Sequence, residues 1–142
     1  MADWLSVPAI FALALGRIAN FINGELVGRI WNGSWCINFK NTGGGDICRH
    51  PSTLYAAGKR FLIFGWLLYL TLKENFKFKP GFIFWNFVFW EGLGRFLVDF
   101  YREDILYFHF SLGQWFSLVM IIISLIVFIK YYKGDCRKLF KK

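Results

Sequence analysis

Four long apolar stretches, separated by polar segments, dominate the hydropathy pattern of this 142-residue chain. Each approaches the roughly 20 residues that a helix needs to cross the hydrocarbon core of a bilayer. The pattern therefore predicts an all-α, polytopic membrane protein in which a single domain, residues 1–142, contains about four transmembrane helices. The predicted spans are residues 4–22, 54–72, 81–101 and 112–131.

The longest polar segment, residues 29–53, is predicted to form an irregular outer loop between the first two spans. Turn-forming residues are concentrated at positions 38–46, and residues 31–39 could form a short strand or hairpin. Asn23-Gly24 is expected to end the first helix, since glycine readily adopts the left-handed conformation of a helix C-terminus. Ser111 is expected to cap the start of the fourth helix.

The positions of lysine and arginine predict the orientation, because cytoplasmic loops and tails are enriched in both. The link at residues 73–79 and the C-terminal tail, residues 132–142, are basic and are expected to be cytoplasmic. The segments 29–53 and 102–111 are then expected on the outer face. The basic residues after the fourth apolar run are Lys130, Lys133, Arg137, Lys138, Lys141 and Lys142.

Composition supports the membrane interpretation, because 56% of the residues are hydrophobic and only 18% are charged. The net charge of +8 does not require nucleic acid, since a basic inner surface is attracted to anionic lipid head groups. No groove-reading motif accompanies the charge, so no nucleic-acid partner is expected. No Cys or His spacing typical of a metal site occurs, so neither a metal nor a soluble cofactor is expected.

Two of the three cysteines, Cys36 and Cys48, fall in the predicted outer loop. An oxidising compartment would allow them to form a disulfide, and two unpaired thiols are the alternative. Cys136 lies in the predicted inner tail.

An arginine, two amides and a carboxylate follow the first apolar run directly: Arg17, Asn20, Asn23 and Glu25. An uncompensated charge beside lipid is costly, so this cluster suggests a site. A guanidinium matches two oxygens of a phosphate, and amides can hydrogen-bond glycerol or ester oxygens, which indicates a lipid head group as ligand. The alternative is an internal ion pair between Arg17 and Glu25, with the amides satisfying helix ends.

Alternating charges recur in the third span, where Glu91, Arg95, Asp99 and Arg102 would share one helical face. They could form a buried salt-bridge ladder. A purely structural ladder is an expensive choice in such an apolar segment, so a second cation directed at the same phosphate is the competing interpretation.

His50 precedes Pro51 at the start of the second span. A titratable imidazole at the membrane interface could act on a bound substrate, whereas a structural role is the alternative.

The run Gly16–Arg29 resembles the signature of prolipoprotein diacylglyceryl transferases. Three shorter motifs follow in the order found in that family, so the resemblance covers roughly residues 9–131. They are His50-Pro-Ser-Thr-Leu-Tyr55, Gly92-Leu-Gly-Arg95 with Asp99-Phe-Tyr-Arg102, and Ser111-Leu-Gly-Gln114.

The resemblance implies a multi-pass enzyme of the bacterial inner membrane that acts in lipoprotein biosynthesis. Such an enzyme transfers the diacylglyceryl group of phosphatidylglycerol to the lipobox cysteine thiol in the signal peptide of a preprolipoprotein. These two substrates and membrane lipids are the implied partners. Arg17 and Arg95 would be the catalytic, phosphate-binding residues. The implied substrate-binding residues are Asn20, Asn23, Glu25, Gly28, His50 and Arg102.

The chain also departs from the family pattern. Family members are roughly twice as long and carry upstream membrane segments with a His-Gly-Gly motif, so the chain resembles their C-terminal half. Ala56 stands where Glu is usual, and Glu91 stands where Tyr is common. The implied function is therefore that of a partial form. The alternatives are a non-catalytic lipid-binding membrane subunit, or half of a split enzyme whose N-terminal half is a separate partner.

Overall fold

The computed structural model describes residues 2–40, 42, 45–73 and 78–140. This part of the chain is mainly helical, as the hydropathy pattern predicted. The helices are α1 (Ala2–Ile22), α2 (Ser52–Leu72), α3 (Phe82–Asp99), α4 (Leu112–Tyr131) and the short α5 (Lys133–Phe140). Strands β1 (Ile37–Asn38) and β2 (Cys48–Arg49) pair antiparallel, as do β3 (Leu106–Tyr107) and β4 (Phe110–Ser111).

Two of the long helices, α1 and α4, are long enough and apolar enough to cross a bilayer. They are the two that meet this measure among the described residues, so length and composition support two of the four predicted spans. Charged side chains interrupt α2 and α3. The apolar side chains of α4 are widely exposed, Phe116 by 69% and Ile129 by 71%, which is typical of a surface that faces lipid rather than water.

The long helices pack side by side, with contacts between α1 and α2, α2 and α3, and α3 and α4. The buried apolar core lies towards the end of the bundle that contains the start of α3. There Ile10 of α1, Leu67 and Leu70 of α2 and Phe82 of α3 form one cluster with Tyr132. Packing of these side chains leaves the opposite end of the bundle free for polar groups.

Buried serine hydroxyl groups in the apolar helices find their hydrogen-bond acceptors within the same helix. Ser6, Ser117 and Ser124 each donate a hydrogen bond of 2.7–2.8 Å to the backbone carbonyl four residues earlier. These small side chains also permit close packing, since the position that a Cβ of Gly92 would take is only 3.3 Å from the carbonyl oxygen of Ser117. The α3–α4 contact therefore depends on small residues.

The predicted helix boundaries at Gly24 and Ser111 are confirmed. Helix α1 ends at Ile22, and Gly24 follows with a φ of +68°. At the start of α4, the Ser111 hydroxyl accepts the backbone N–H of Gln114 at 3.1 Å, and the Gln114 side chain accepts the backbone N–H of Ser111 at 2.9 Å. This reciprocal pair is a capping box, which satisfies two N–H groups that the helix itself cannot.

Asp3 links the start of α1 to the start of α3. Its carboxylate accepts the backbone N–H of Gly81 at 2.6 Å and that of Phe84 at 2.8 Å. A carboxylate at a helix N-terminus is favoured by these unpaired donors and by the helix dipole. Because α1 and α3 both start at this end, Asp3 also fixes the position of one helix relative to the other along the axis of the bundle.

The C-terminal segment, predicted as a basic tail, forms the short helix α5. Asp135 is buried and accepts hydrogen bonds from the Lys79 backbone N–H at 3.4 Å and from the Lys138 ammonium at 2.8 Å. The Tyr132 hydroxyl donates to the Pro80 carbonyl at 2.7 Å. These bonds dock α5 beside the start of α3. Residues 74–77 of the predicted basic link and residues 141–142 of the tail lie outside the described residues.

Cys36 and Cys48 form a disulfide, with their Cα atoms 5.4 Å apart. Of the two possibilities left open by the sequence, the structure shows the bonded one. The bond closes the predicted outer loop beside the β1–β2 ladder. Strand β1 lies within residues 31–39, where a short strand or hairpin was expected, and its partner β2 lies outside that range. Cys136 is a free thiol, and partial burial together with the neighbouring Asp135 carboxylate raises the pKa of Cys136.

We expect the substitution Asp3→Ala to lower the free energy of unfolding by about 1–2 kcal/mol, because two N–H groups at the start of α3 lose their acceptor. Thermal unfolding of the detergent-solubilised chain would measure this change. Asp46→Ala is the matched control, since Asp46 forms an exposed pair with Lys40 that contributes little. Equal stability of the two variants would contradict the capping role.

Candidate functional site

A cavity at the end of the bundle opposite Asp3 is lined by five cationic side chains. Arg17 comes from α1, Lys59 and Arg60 from α2, Arg95 from α3, and Arg102 from the segment just after α3. We call it the arginine cavity. The remaining lining residues are Leu26, Ser52, Thr53, Ala56, Val98 and Asp99.

The antiparallel order of the helices brings these side chains together. The last turns of α1 and α3 and the first turns of α2 lie at one end of the bundle, so polar residues near those helix termini converge. Arg17 lies close to the end of α1, Arg60 in the early part of α2, and Arg95 in the last part of α3. Charged groups placed near helix ends interrupt the apolar stretches least.

Arg17 is half-buried and has no hydrogen bond or ion pair with any group in the described part of the chain. Glu25, its alternative partner in the sequence interpretation, is exposed and forms no ion pair with Arg17 there. The Arg17 guanidinium instead lies within electrostatic range of three cations, Arg60, Arg95 and Arg102, and of one carboxylate, Glu91, which is paired with Lys59 and Arg60. Because cations predominate around it, the position favours an anionic ligand.

Glu91 of α3 pairs with the two cations of α2. Its carboxylate lies 3.1 Å from the Lys59 ammonium, with which it forms an ion pair. It also accepts hydrogen bonds from two nitrogens of the Arg60 guanidinium, and the distance from Nε to Oε1 is 3.0 Å. Arg60 also donates to the Leu13 carbonyl of α1 at 3.1 Å. The Arg60 side chain therefore bridges α1, α2 and α3, and its orientation towards the cavity is fixed.

Of the two interpretations of the charges along α3, the salt-bridge ladder holds only for its second half. Asp99 does lie 3.9 Å from the Arg95 guanidinium and 3.7 Å from that of Arg102. Glu91, in contrast, points to α2, because it faces the neighbouring helix where Lys59 and Arg60 supply nearer cations. Arg95 keeps only the long contact with Asp99, and its side chain is 47% exposed, so its donors are available to a ligand.

The charges of this region do not balance. Among the described residues, the five cations of the cavity are opposed by three carboxylates: Asp99 in the lining, Glu91 behind Lys59 and Arg60, and Asp104, which lies 3.3 Å from the Arg102 guanidinium. Two positive charges therefore remain in a partly buried setting. Excess charge away from bulk water is stabilised by a counter-ion, and guanidinium groups bind the oxygens of phosphate especially well. The cavity is suited to a phosphate-bearing ligand.

The structure brings together three of the residues selected from the sequence, namely Arg17, Arg95 and Arg102. The other candidates, Asn20, Asn23, Glu25, Gly28 and His50, do not line the cavity. The backbone carbonyl of Asn20 accepts a hydrogen bond from the Glu25 backbone N–H at 2.9 Å, which helps to shape the turn after α1. Asn23 and Glu25 are exposed.

Gly28 supports the site through the backbone. It is buried and forms a β-bridge with Arg102, while the Arg29 side chain donates to the Arg102 carbonyl at 2.8 Å. A Cβ at Gly28 would collide with the His50 carbonyl and lie only 2.9 Å from the carbonyl of Tyr101. The absence of a side chain therefore lets the outer loop hold Arg102 in place.

His50 lies in an aromatic cluster. Its ring stacks on Trp31 with the centroids 4.3 Å apart, and its Nδ1 is 3.1 Å from the Tyr55 hydroxyl. The Tyr101 ring packs edge-on at 5.2 Å. These contacts fit the structural interpretation of His50 better than a role in the arginine cavity.

Sequence reasoning missed Lys59 and Arg60. The sequence does indicate them, because burying two adjacent basic residues inside an apolar span is as unfavourable as burying the charges of the first and third spans. The sequence analysis assigned no role to these two residues of the second span, and no carboxylate nearby in the sequence identified their partner.

Comparisons with known proteins agree with the motifs. A family model described as prolipoprotein diacylglyceryl transferase matches residues 1–130. A phosphatidylglycerol--prolipoprotein diacylglyceryl transferase of Geobacter sulfurreducens is 42% identical over 132 residues, which are 88% of this chain and 48% of the relative. The protein of the same name from Idiomarina loihiensis is 37% identical, over 94% of this chain and 50% of the relative.

The relative of that name from Brucella anthropi is 37% identical, over 86% of this chain and 43% of its own length. The chain thus spans about half the length of the curated relatives that it matches. No solved structure matches the chain significantly.

We expect Gly28→Ala to lower the free energy of unfolding by about 1–3 kcal/mol, since the added methyl group collides with two backbone carbonyls that cannot easily move. Thermal unfolding in detergent would measure the loss. Gly58→Ala is the control, because a methyl group there meets open space in the middle of α2 and alanine favours the helix. A harmless Gly28→Ala would contradict the close backbone packing.

Proposed function

Because this chain belongs to the prolipoprotein diacylglyceryl transferase family, we propose that its arginine cavity binds the phosphate of phosphatidylglycerol. The bound lipid is the donor for transfer of its diacylglyceryl group to the lipobox cysteine of a preprolipoprotein. The name of the relatives, which specifies phosphatidylglycerol and prolipoprotein, supports both substrates.

The unpaired Arg17 guanidinium is the observation that carries this proposal. It lines the same cavity as Arg95 and Arg102, and it forms no ion pair among the described residues, since Glu91, the carboxylate within electrostatic range, pairs with Lys59 and Arg60. A phosphate diester carries one negative charge on two oxygens, which fits the planar fork of a guanidinium. Arg17 and Arg95 are the proposed catalytic residues, with Arg102 as a further phosphate ligand.

The negative charge on the phosphate increases during the transfer, so its attraction to the cations of the cavity also increases. The thiol sulfur forms a bond to the terminal glycerol carbon of the diacylglyceryl group, and the bond from that carbon to the phosphate oxygen breaks. The electron pair of the broken bond leaves with glycerol phosphate, whose second negative charge is balanced by the proton released from the thiol. Cations aimed at the phosphate stabilise this developing charge more than the ground state, which lowers the barrier.

Head-group contacts beyond the phosphate are assigned to the turn after α1 and to the outer loop. Asn20, Asn23 and Glu25 lie beside the cavity rather than in its lining, so they are proposed to contact the glycerol of the head group. Gly28 and His50 are proposed to act indirectly, by fixing the loop that holds Arg102.

The proposed orientation places α1 to α4 across the bacterial inner membrane, with the C-terminus in the cytoplasm. Helices α2 and α3 then cross with their charged residues facing protein. The disulfide and the arginine cavity lie at one end of the bundle, and the free thiol of Cys136 lies at the other. Disulfides persist in oxidising compartments and thiols in the cytoplasm, which supports an outward-facing cavity.

A second candidate follows from the share of the relatives that the chain covers. A chain that spans about half of them could serve as one half of a split enzyme, with an N-terminal half as partner, or as a lipid-binding subunit without chemistry. In both cases the phosphate-binding role of the cavity is retained.

We expect Arg17→Lys to weaken binding of phosphatidylglycerol about tenfold, because an ammonium cannot form the two parallel hydrogen bonds of a guanidinium. Calorimetric titration of the solubilised chain with short-chain phosphatidylglycerol would measure this. Arg137→Lys, an equivalent change on exposed α5, should leave the affinity unchanged. Unaltered binding by Arg17→Lys and by Arg95→Ala would contradict the phosphate site.

In a transferase-depleted bacterium, we expect the chain to support lipidation of a reporter preprolipoprotein only when an N-terminal half from a relative is co-expressed. The physical reason is that thiol deprotonation needs a base, whereas Asp99 in the cavity is engaged by Arg95 and Arg102.

A shift in the electrophoretic mobility of the reporter gives the measurement. Lipidation by the chain alone would contradict the need for a partner. Failure of both arrangements, with phosphatidylglycerol binding intact, would favour the lipid-binding subunit.

A further inference from the structure

An apolar groove runs along the surface between α2 and α3. Its volume is about 340 Å³, which is within the range of small-molecule sites. We call it the α2–α3 groove. Its apolar lining consists of Leu62, Ile63 and Trp66 from α2 and Trp90, Leu93 and Leu97 from α3.

Lys59 joins this groove to the arginine cavity, because its side chain lines both. The Lys59 ammonium is held by Glu91, at 3.1 Å from the carboxylate and 3.2 Å from the backbone carbonyl. Its methylene stem crosses Gly94, where a Cβ would collide with it. The missing side chain of Gly94 therefore lets one lysine present a charge to the cavity and an apolar stem to the groove.

The direction of the groove matches that of a lipid held by its phosphate. On α2 the lining proceeds from Lys59 to Trp66, and on antiparallel α3 it proceeds from Leu97 to Trp90, in both cases away from the arginine cavity. Seven residues of helix correspond to roughly 10 Å. The groove thus extends from the charged end of the bundle towards the middle of the bilayer in the proposed orientation.

We infer that the α2–α3 groove binds an acyl chain of the same anionic phospholipid whose phosphate lies in the arginine cavity. This inference rests on the proposed function and adds to it the position of the lipid tail. Lys59 marks the boundary between head group and tail. Its charge complements the phosphate, while the aliphatic and aromatic walls below it complement a hydrocarbon chain.

The shape of the rim favours an acyl chain over a further helix. Leu62 is 78% exposed and Leu97 is 53% exposed, so the groove opens sideways, where a bilayer lipid can enter without leaving the membrane. Close packing of another helix usually requires small residues at the contact. Here bulky Leu and Trp side chains form the rim, which leaves a narrow channel.

Two photoreactive lipids would test this assignment in nanodiscs of phosphatidylcholine that contain the full chain. Both carry the same diazirine-bearing acyl chain, and they differ only in having a phosphoglycerol or a phosphocholine head group. We expect adducts at residues 62–66 and 90–97 to be at least about threefold enriched for the phosphoglycerol lipid. Ile122 and Ile126 on the exposed face of α4 provide the internal reference for bulk lipid contact.

Variants that fill the groove give an independent measurement. We expect Leu97→Trp to weaken binding of long-chain phosphatidylglycerol about tenfold, because the larger side chain fills the groove and removes its packing contacts with the acyl chain, with binding of the dihexanoyl lipid unchanged. Leu125→Trp on exposed α4 is the matched control and should change neither affinity.

Different results separate the inference from the function on which it rests. Equal labelling of the groove and α4, or enrichment on another face, would overturn the acyl-chain assignment. If binding of the dihexanoyl lipid still depends on Arg17 in that case, the proposed phosphate site is retained. Absence of Arg17-dependent binding of either phosphatidylglycerol would overturn both. Enrichment in the groove that disappears with Arg17→Ala supports both.

Discussion

The ion pair between Glu91 and Arg60 is the interaction on which the arrangement of the site depends. It joins α3 to α2, and the bond from Arg60 to the Leu13 carbonyl extends the connection to α1. Removing one partner of such a buried pair leaves an uncompensated charge, which is far more costly than losing an exposed pair. Because Glu91 also holds Lys59, a single carboxylate determines where both cations of α2 lie. The depth and rotation of three helices are thus fixed by the same group that shapes the cavity wall.

Once Glu91 is committed to α2, the remaining charges cannot be neutralised within the cavity. Asp99 is shared between Arg95 and Arg102 at distances that indicate weak pairing, Asp104 pairs with Arg102, and Arg17 forms no ion pair among the described residues. A membrane protein would not retain this imbalance for stability alone, since apolar residues could fill the same space at lower cost. The excess of positive charge is therefore best understood as half of an interaction whose other half is a ligand. We propose a phospholipid as that ligand, because the relatives are named for phosphatidylglycerol.

Local features of the sequence predicted the helices well and their mutual contacts poorly. The limits of α1 and α4 followed from glycine and serine at their ends, and Arg17 was selected because its charge follows an apolar run. The ladder alternative does not hold for Glu91, because spacing along α3 describes only one helix, whereas the partner of a side chain depends on which neighbouring helix it faces. Lys59 and Arg60 were overlooked for the same reason. Helix α5 was missed because its stabilising bonds, from Asp135 and Tyr132 to the segment before α3, join distant parts of the chain. The roles assigned to Asn20, Asn23 and Glu25 stay predictions.

The disulfide between Cys36 and Cys48 has a consequence for biogenesis. In the proposed orientation, translocation of the segment that contains both thiols must precede their oxidation, so covalent closure comes after membrane insertion of the flanking helices. The strand β2 that carries Cys48 also carries Arg49, which donates to the Gly28 carbonyl at 3.1 Å. Covalent closure of this end of the bundle would then be a post-insertional event that depends on an oxidising outer compartment.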